Sequence, residues 1–385
     1  MLRILYRSFY LPFLLLFLIS CRNIAPEISE LSSPPPKTPT SVPSATPSPL
    51  PSLTPTLTAT PTGTPILAPT ATLTPTLTPT PGAMTLPTEI STLIKVPRLE
   101  GPSDSRSVRE LAVSPNGRLL AAATDQGLLL YSVVTHELEE VINIDGSAKA
   151  DVAWSPDGSF LATGSGTRIL VWDIANEQLL YLASGHKSAV SDLAWSPDGN
   201  QILSIENNGF FHVWDGKTGE PVSESPMSFG LNVLAVSPQG THIALASDVS
   251  VAIWTSVGAE ELPLGNKADV GNIAWSQDGH LLAVSGAGGT ISIWNINDMQ
   301  QVATLEGHSK GVTALAWSSS DRYLASTSSD LTTRIWNTET WETIFRLRGH
   351  SEIITTVAWD IKERFLFTGS NDGTIRLWPI ETYLQ

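Results

Sequence analysis

The chain has 385 residues, a formal net charge of −15, a pI near 4.8 and one cysteine. An acidic surface repels phosphate backbones, so a nucleic-acid binder is excluded unless a basic patch stands out, and beyond Arg346 and Arg348 none does. A single thiol also excludes any disulfide within the chain.

The first residues carry Arg3 and Arg7, then a twelve-residue, largely apolar stretch from Phe9 to Ser20, then Leu18-Ile19-Ser20-Cys21 at its end. A spanning helix needs about 20 apolar residues, and this stretch is shorter and interrupted by Pro12. The segment resembles a bacterial lipoprotein signal. The resemblance implies that residues 1–20 are removed and that Cys21 is acylated. It also implies that the mature chain is held at the cell membrane on its extracytoplasmic side. Two or three acyl chains anchor stably where one alone holds marginally. A lone cysteine suits export, because nothing is left to mispair.

Residues 21–88 are expected as a linker. Between Pro34 and Pro87 there are 16 prolines, with Thr and Ser filling most other places and Lys37 the only charge. Such composition cannot build a core and predicts a disordered, polyproline-like stalk, reaching on the order of 150 Å at about 3.1 Å per residue. Its role is to hold the following domain clear of the membrane.

From residue 89 to the end the sequence is periodic. Val113, Trp154, Trp195, Val236, Trp275, Trp317 and Trp359 form one ladder with steps of 41, 41, 41, 39, 42 and 42 residues. Tyr131, Trp172, Trp214, Trp254, Trp294, Trp336 and Trp378 form a second, with steps of 41, 42, 40, 40, 42 and 42. Seven copies of one supersecondary unit follow from this. Within a copy, runs such as Thr374-Ile375-Arg376-Leu377-Trp378 alternate with period two and are separated by Asp-Gly, Asn-Gly or Gly-Gly turns. That is strand and hairpin chemistry, so each copy reads as a small antiparallel sheet.

Three linked elements at fixed spacing identify the repeat. Trp172-Asp173 and Trp214-Asp215 are softened to Trp294-Asn295 and Trp336-Asn337. Gly185-His186, Gly307-His308 and Gly349-His350 stand so that each His lies nine residues before its first-ladder Trp. Segments such as Ser196-Pro197-Asp198-Gly199 supply the third element. The region resembles the WD-repeat β-propellers. The resemblance implies an all-β, seven-bladed propeller of four-stranded antiparallel blades. In that family a His, a strand Ser or Thr, a turn Asp and the second-ladder Trp form a buried hydrogen-bonded chain. Here the complete sets are His308, Ser326, Asp330 and Trp336, and His350, Thr368, Asp372 and Trp378. Blades two and five, with Gly166 and Gly288 near the turn position, lack the Asp and are expected to rely on packing. The chain stops seven residues after Trp378, too soon for an outer strand like that of blade six near Thr343 to Arg348. A strand near residues 93–99 is therefore expected to close the ring on blade seven.

The resemblance also places candidate contacts on the rim of the central channel. Four residues before the first ladder stand Arg109, Ala150, Ser191, Asn232, Gly271, Thr313 and Thr355. Just before the turn Asp stand Thr124, Asn207, Ser247, Ser329 and Asn371. Arg is a frequent interaction anchor, and this rim offers one Arg and no aromatic residue.

Catalytic and metal motifs are missing from the sequence: there is no His-Glu-x-x-His, nucleophile elbow, phosphate-binding glycine loop or cysteine cluster, and no cofactor is expected. His136, His212, His242 and His280 read as surface or packing residues. Glu139-Glu140 and Glu260-Glu261 read as solvated charge between blades. The function expected is a non-enzymatic, membrane-anchored scaffold or recognition platform for protein partners, its propeller a monomer. One alternative is a propeller binding small ligands or glycans, for which exposed aromatic platforms would speak. The other is a hydrolase or lyase using the central channel, for which clustered carboxylates or histidines at one channel mouth would speak.

Overall fold

The computed structural model describes residues 107–381, except 126, 145–150, 228–229, 265–269 and 287, and the backbone of the strands Met84–Leu86 and Thr92–Lys95. The signal and stalk expected from the sequence, Cys21 included, lie outside the described residues.

Seven antiparallel sheets follow one another, covering residues 108–142, 152–184, 190–226, 233–261, 270–305, 312–348 and 354–379. Within each, the strands lie in sequence order, as in Val190–Trp195, Gln201–Glu206, Phe210–Asp215 and Pro221–Pro226 of the third. First strands of neighbouring sheets lie side by side around the whole set, the seventh meeting the first, so the sheets are blades of a closed ring with their first strands innermost. Among the described residues there is no α-helix.

Strand alternation decides where the core sits. In the seventh blade Ile375 and Leu377 point toward blade one, and Trp378 points toward blade six. Both faces of a blade are therefore apolar. The hydrophobic residues gather in seven clusters, one between each pair of neighbours, and not in one centre. Burial of these wedges is the main favourable contribution to the fold.

The first ladder has a specific task. Its indole N–H groups donate to the inner strand of the preceding blade: Trp154 to Ala112 O at 3.0 Å, Trp195 to Ala153 O at 3.1 Å, Trp275 to Ala235 O at 3.1 Å, Trp317 to Ala274 O at 3.0 Å and Trp359 to Ala316 O at 3.0 Å. Each tryptophan thus fills a wedge and satisfies its polar atom across it.

The turn after the inner strand is set by its own side chains. In the second blade Ser155 Oγ donates to Asp157 Oδ1 at 2.6 Å, and that carboxylate accepts from Ser159 N–H at 3.0 Å. Gly158 closes the turn at φ 72°, the left-handed region that glycine enters without strain. In blades six and seven Asp321 (φ 59°) and Glu363 (φ 56°) take that place. Each reaches the previous blade: Asp321 accepts from Gln277 and Asp278 N–H at 2.7 and 2.9 Å, and Glu363 from Ser320 N–H at 2.6 Å.

Thr92–Lys95 pairs antiparallel with Thr374–Leu377, giving the seventh blade its fourth strand. Met84–Leu86 pairs in parallel with Phe345–Leu347 on the outer edge of blade six, a fifth strand there. The linker expected to run to residue 88 therefore contains a strand near its end. Three residues of Met-Thr-Leu carry no periodic signal of their own, and the pairing spans more than 250 residues of sequence.

Candidate interaction face

The second ladder organises each blade from within. In blade six His308 Nε2 lies 2.8 Å from Ser326 Oγ, which accepts from Trp336 Nε1–H at 2.8 Å, while His308 Nδ1 lies 3.1 Å from Asp330. In blade seven the corresponding distances are 2.8 Å from His350 to Thr368, 3.1 Å from Trp378 to Thr368 and 2.9 Å from His350 to Asp372. Burial alone would raise the pKa of Asp330 and Asp372. Hydrogen bonds from the histidine, from Thr332 or Thr374 and from a backbone N–H outweigh it and hold both carboxyls well below the ordinary aspartate range.

Blade three solves the same problem with residues the sequence did not single out. His186 and Trp214 share Ser204 at 2.8 and 2.9 Å, but the turn position holds Asn208. Glu206, fully buried, substitutes: it accepts from Lys187 N–H at 2.9 Å and from Ser188 N–H, and its other oxygen meets His212 Nε2 at 2.7 Å. His212 is thus a buried partner. His186 Nδ1 has no partner, and burial, with the nearby His212 ring, pushes the His186 pKa down to about 4. In blade two Trp172 Nε1 and Thr163 Oγ1 are buried without partners, and in blade five Trp294 donates to Ser292 at 2.9 Å. A single sequence could have pointed to Glu206 only through the pairing of an acid and a His on facing strands.

The rim positions share one edge of the blades. The start of each inner strand pairs with the end of the second strand, as Val190 does with Glu206, so both candidate sets lie at the same mouth of the channel. In five blades the inner-strand position is a bulge, at Arg109, Ser191, Gly271, Thr313 and Thr355, which turns it out of the ladder.

These residues divide by what they touch. Thr313 Oγ1 donates to Ile354 O at 2.6 Å and Thr355 Oγ1 to Val108 O at 2.5 Å, so both are committed to the next blade. Ser191 Oγ donates to Ile205 O at 3.2 Å. Thr124 and Ser247 are buried, Ser329 is half-buried, and Ala150 lies outside the described residues. The exposed members are Arg109, Asn207, Asn232, Gly271 and Asn371. Arg109 Nε donates to Asp125 at 2.7 Å, Asn232 to Asp248, and Asn371 accepts from Ser107. Among the described residues of the two candidate sets, the exposed side chains are polar, with Arg109 their one cation and Asp125 its partner.

One position further along the inner strands stand three acids on consecutive blades: Glu110, Asp151 and Asp192. Burial raises all three, Glu110 and Asp192 well above the ordinary range, and Asp151 adds its charge to both. Ladder phase alone could have found them. Glu139, Glu140, Glu260 and Glu261, expected between blades, lie instead in the outermost strands Leu138–Ile142 and Gly258–Glu261. Among the described residues no group of three His, Cys, Asp or Glu has metal-binding geometry.

Comparison with known proteins gives six matches to the family described as "WD domain, G-beta repeat", over residues 93–132, 141–173, 177–215, 261–295, 299–337 and 341–379. The fourth blade falls between matches; it has no Gly-His, and Trp254 is followed by Thr255. A curated relative, anaphase-promoting complex subunit cdh1 of Dictyostelium discoideum, is 30% identical over 105 residues, which is 26% of this chain and 14% of that protein. The match covers far less than two thirds of the relative's length. With six matched repeats over more than half its length and seven four-stranded blades in a closed ring, the chain belongs to the WD-repeat family.

Proposed function

We propose that this chain is a non-enzymatic recognition scaffold whose polar channel mouth, centred on Arg109, Asn207, Asn232 and Asn371, receives a protein partner. The observation that carries this is the gathering of exposed polar residues at a single mouth, Arg109 turned out of its ladder by a bulge and Asn207, Asn232 and Asn371 on the same edge, while the blade faces are occupied by packing. WD-repeat propellers generally bind proteins, and the partially similar cdh1 is named as a subunit of a complex. Fold alone does not fix function, so the rim residues must be tested directly. The lipoprotein-like residues around Cys21 support attachment to the membrane on its extracytoplasmic side, with the Pro/Thr segment as spacer.

The acids Glu110, Asp151 and Asp192 answer to the feature expected of a channel enzyme. Yet Asp192 is only 6% exposed and Oδ2 is bonded to Leu234 N–H at 2.6 Å, while Glu110 is bonded by Thr356 at 2.8 Å. Such groups hold blades together and are poorly placed to meet a substrate. Trp341, the one tryptophan off both ladders, packs edge-on against Trp317 at 6.3 Å, which speaks against its serving as a glycan platform.

The test is cross-linking capture from native envelopes with the full-length chain and with Arg109→Glu. A saturable protein partner lost in the variant supports the rim; equal recovery by both moves the site elsewhere. No protein partner with either bait overturns the scaffold reading.

A further inference from the structure

At the joint of blades two and three, two carboxyls, Asp151 and Asp192, are brought together. Asp192 Oδ2 accepts Leu234 N–H of the fourth blade at 2.6 Å, as a carbonyl oxygen would. Its Oδ1 is buried without a hydrogen-bond partner, and the carboxyl of the half-buried Asp151 stands within hydrogen-bonding contact of Asp192. An acceptor meeting an acceptor inside a wedge repels unless a proton lies between them.

Backbone N–H groups of Val152, Leu193 and Leu234 face the pair, and among the described residues no cation does. Glu110, on Val108–Val113 of the first blade, adds a third acid and takes the Thr356 hydroxyl. Arg109 on that strand is turned to Asp125. Glu206, on the strand beside Asp192, is held by His212 and two backbone N–H groups. On Phe160–Ser165 and Val233–Val236 there is no titratable group, and Asp248 is bonded by Asn232. Among the described residues, the only charged groups acting on these two acids are acids.

We propose that Asp192 and Asp151 share one proton across this joint, and that its release at rising pH pushes the second and third blades apart at the rim. The step is an ionisation: the O–H bond of Asp192 breaks, the proton passes to water, and the electron pair stays on the carboxylate, leaving two like charges in contact. Ser191, in the bulge beside Asp192, lies on the channel mouth, so the strain falls on the interaction face.

Folded-state proton affinity is raised in both groups, so their stabilisation is complete below the ordinary aspartate range and is lost as pH rises toward the folded value. Asp192→Asn imitates the protonated acid permanently: its carbonyl accepts from Leu234 and its amide donates to Asp151. The experiment is thermal unfolding of the full-length wild type and Asp192→Asn across about pH 4 to about pH 8. The melting points coincide in acid, and the variant gains several degrees, about 3 to 10 °C, toward neutrality. A difference that stays constant or negative with pH overturns the proposal. Infrared spectra at neutral pH give an independent reading: a protonated-carboxyl band is expected in the wild type and diminished in Asp192→Asn or Asp151→Asn. Absence of that band in the wild type overturns the proposal even if the variants fold poorly.

Discussion

Gly369 stands where the ring closes on itself. A Cβ there would lie 2.5 Å from the Val108 side chain and 2.8 Å from that of Thr356, so its missing side chain lets blade one seat against blade seven. Gly369→Ala is expected to lower stability by about 1–3 kcal/mol through overpacking. At Gly288, where nothing lies within 4 Å, the same change should stay within about 0.5 kcal/mol. Chemical denaturation of both variants checks the contrast. Single residues were unevenly legible in the sequence. The tryptophans of both ladders could be read because their spacing repeats. Thr313 and Thr355 were not separable from true rim contacts, because their hydroxyls turn to carbonyls of the next blade and sequence does not show that turn. Glu206 escaped for a related reason: it does the work of an aspartate two positions further on, so an alignment by position passes over it.

At the scale of elements, Thr92–Lys95 is the outer strand of the blade formed by the opposite end of the chain. Without it the Thr374–Pro379 edge would be left with unpaired backbone groups. Deleting residues 91–100 should lower the melting temperature by on the order of 10 °C, with an unchanged value meaning that the pairing contributes nothing. Calorimetry of the truncated and intact chains decides. A missing fourth strand in the seventh copy was legible because the other copies define what a complete copy contains. The fifth strand on blade six was not, since among the described residues no other blade has one to compare.

The molecule as a whole carries two acid–base systems of opposite sense. Asp330 and Asp372 are held below the ordinary aspartate range, so what they contribute is present above that range and lost as pH falls through the folded values. Asp372→Asn should therefore melt below the wild type at neutral pH, with the gap narrowing below about pH 4. A thermal series over pH measures it, and a gap of constant size would remove the network acid from the account. The pair at Asp151 and Asp192 works the other way, so the ring is expected to be most stable at intermediate, mildly acidic pH.

The pairing of Thr92–Lys95 with Thr374–Leu377 also dictates an order of events during synthesis. A ribosome delivers the first of these strands some 280 residues before its partner exists. Blades can assemble against one another as they emerge, since each needs only its neighbour, but the circle cannot be completed until the final blade has been made. Through that interval the early strand is an open edge without its mate. A chain stalled or truncated within its last copy would therefore be left with free ends able to pair with another unfinished chain, and the cell's quality control would meet it as an open arc.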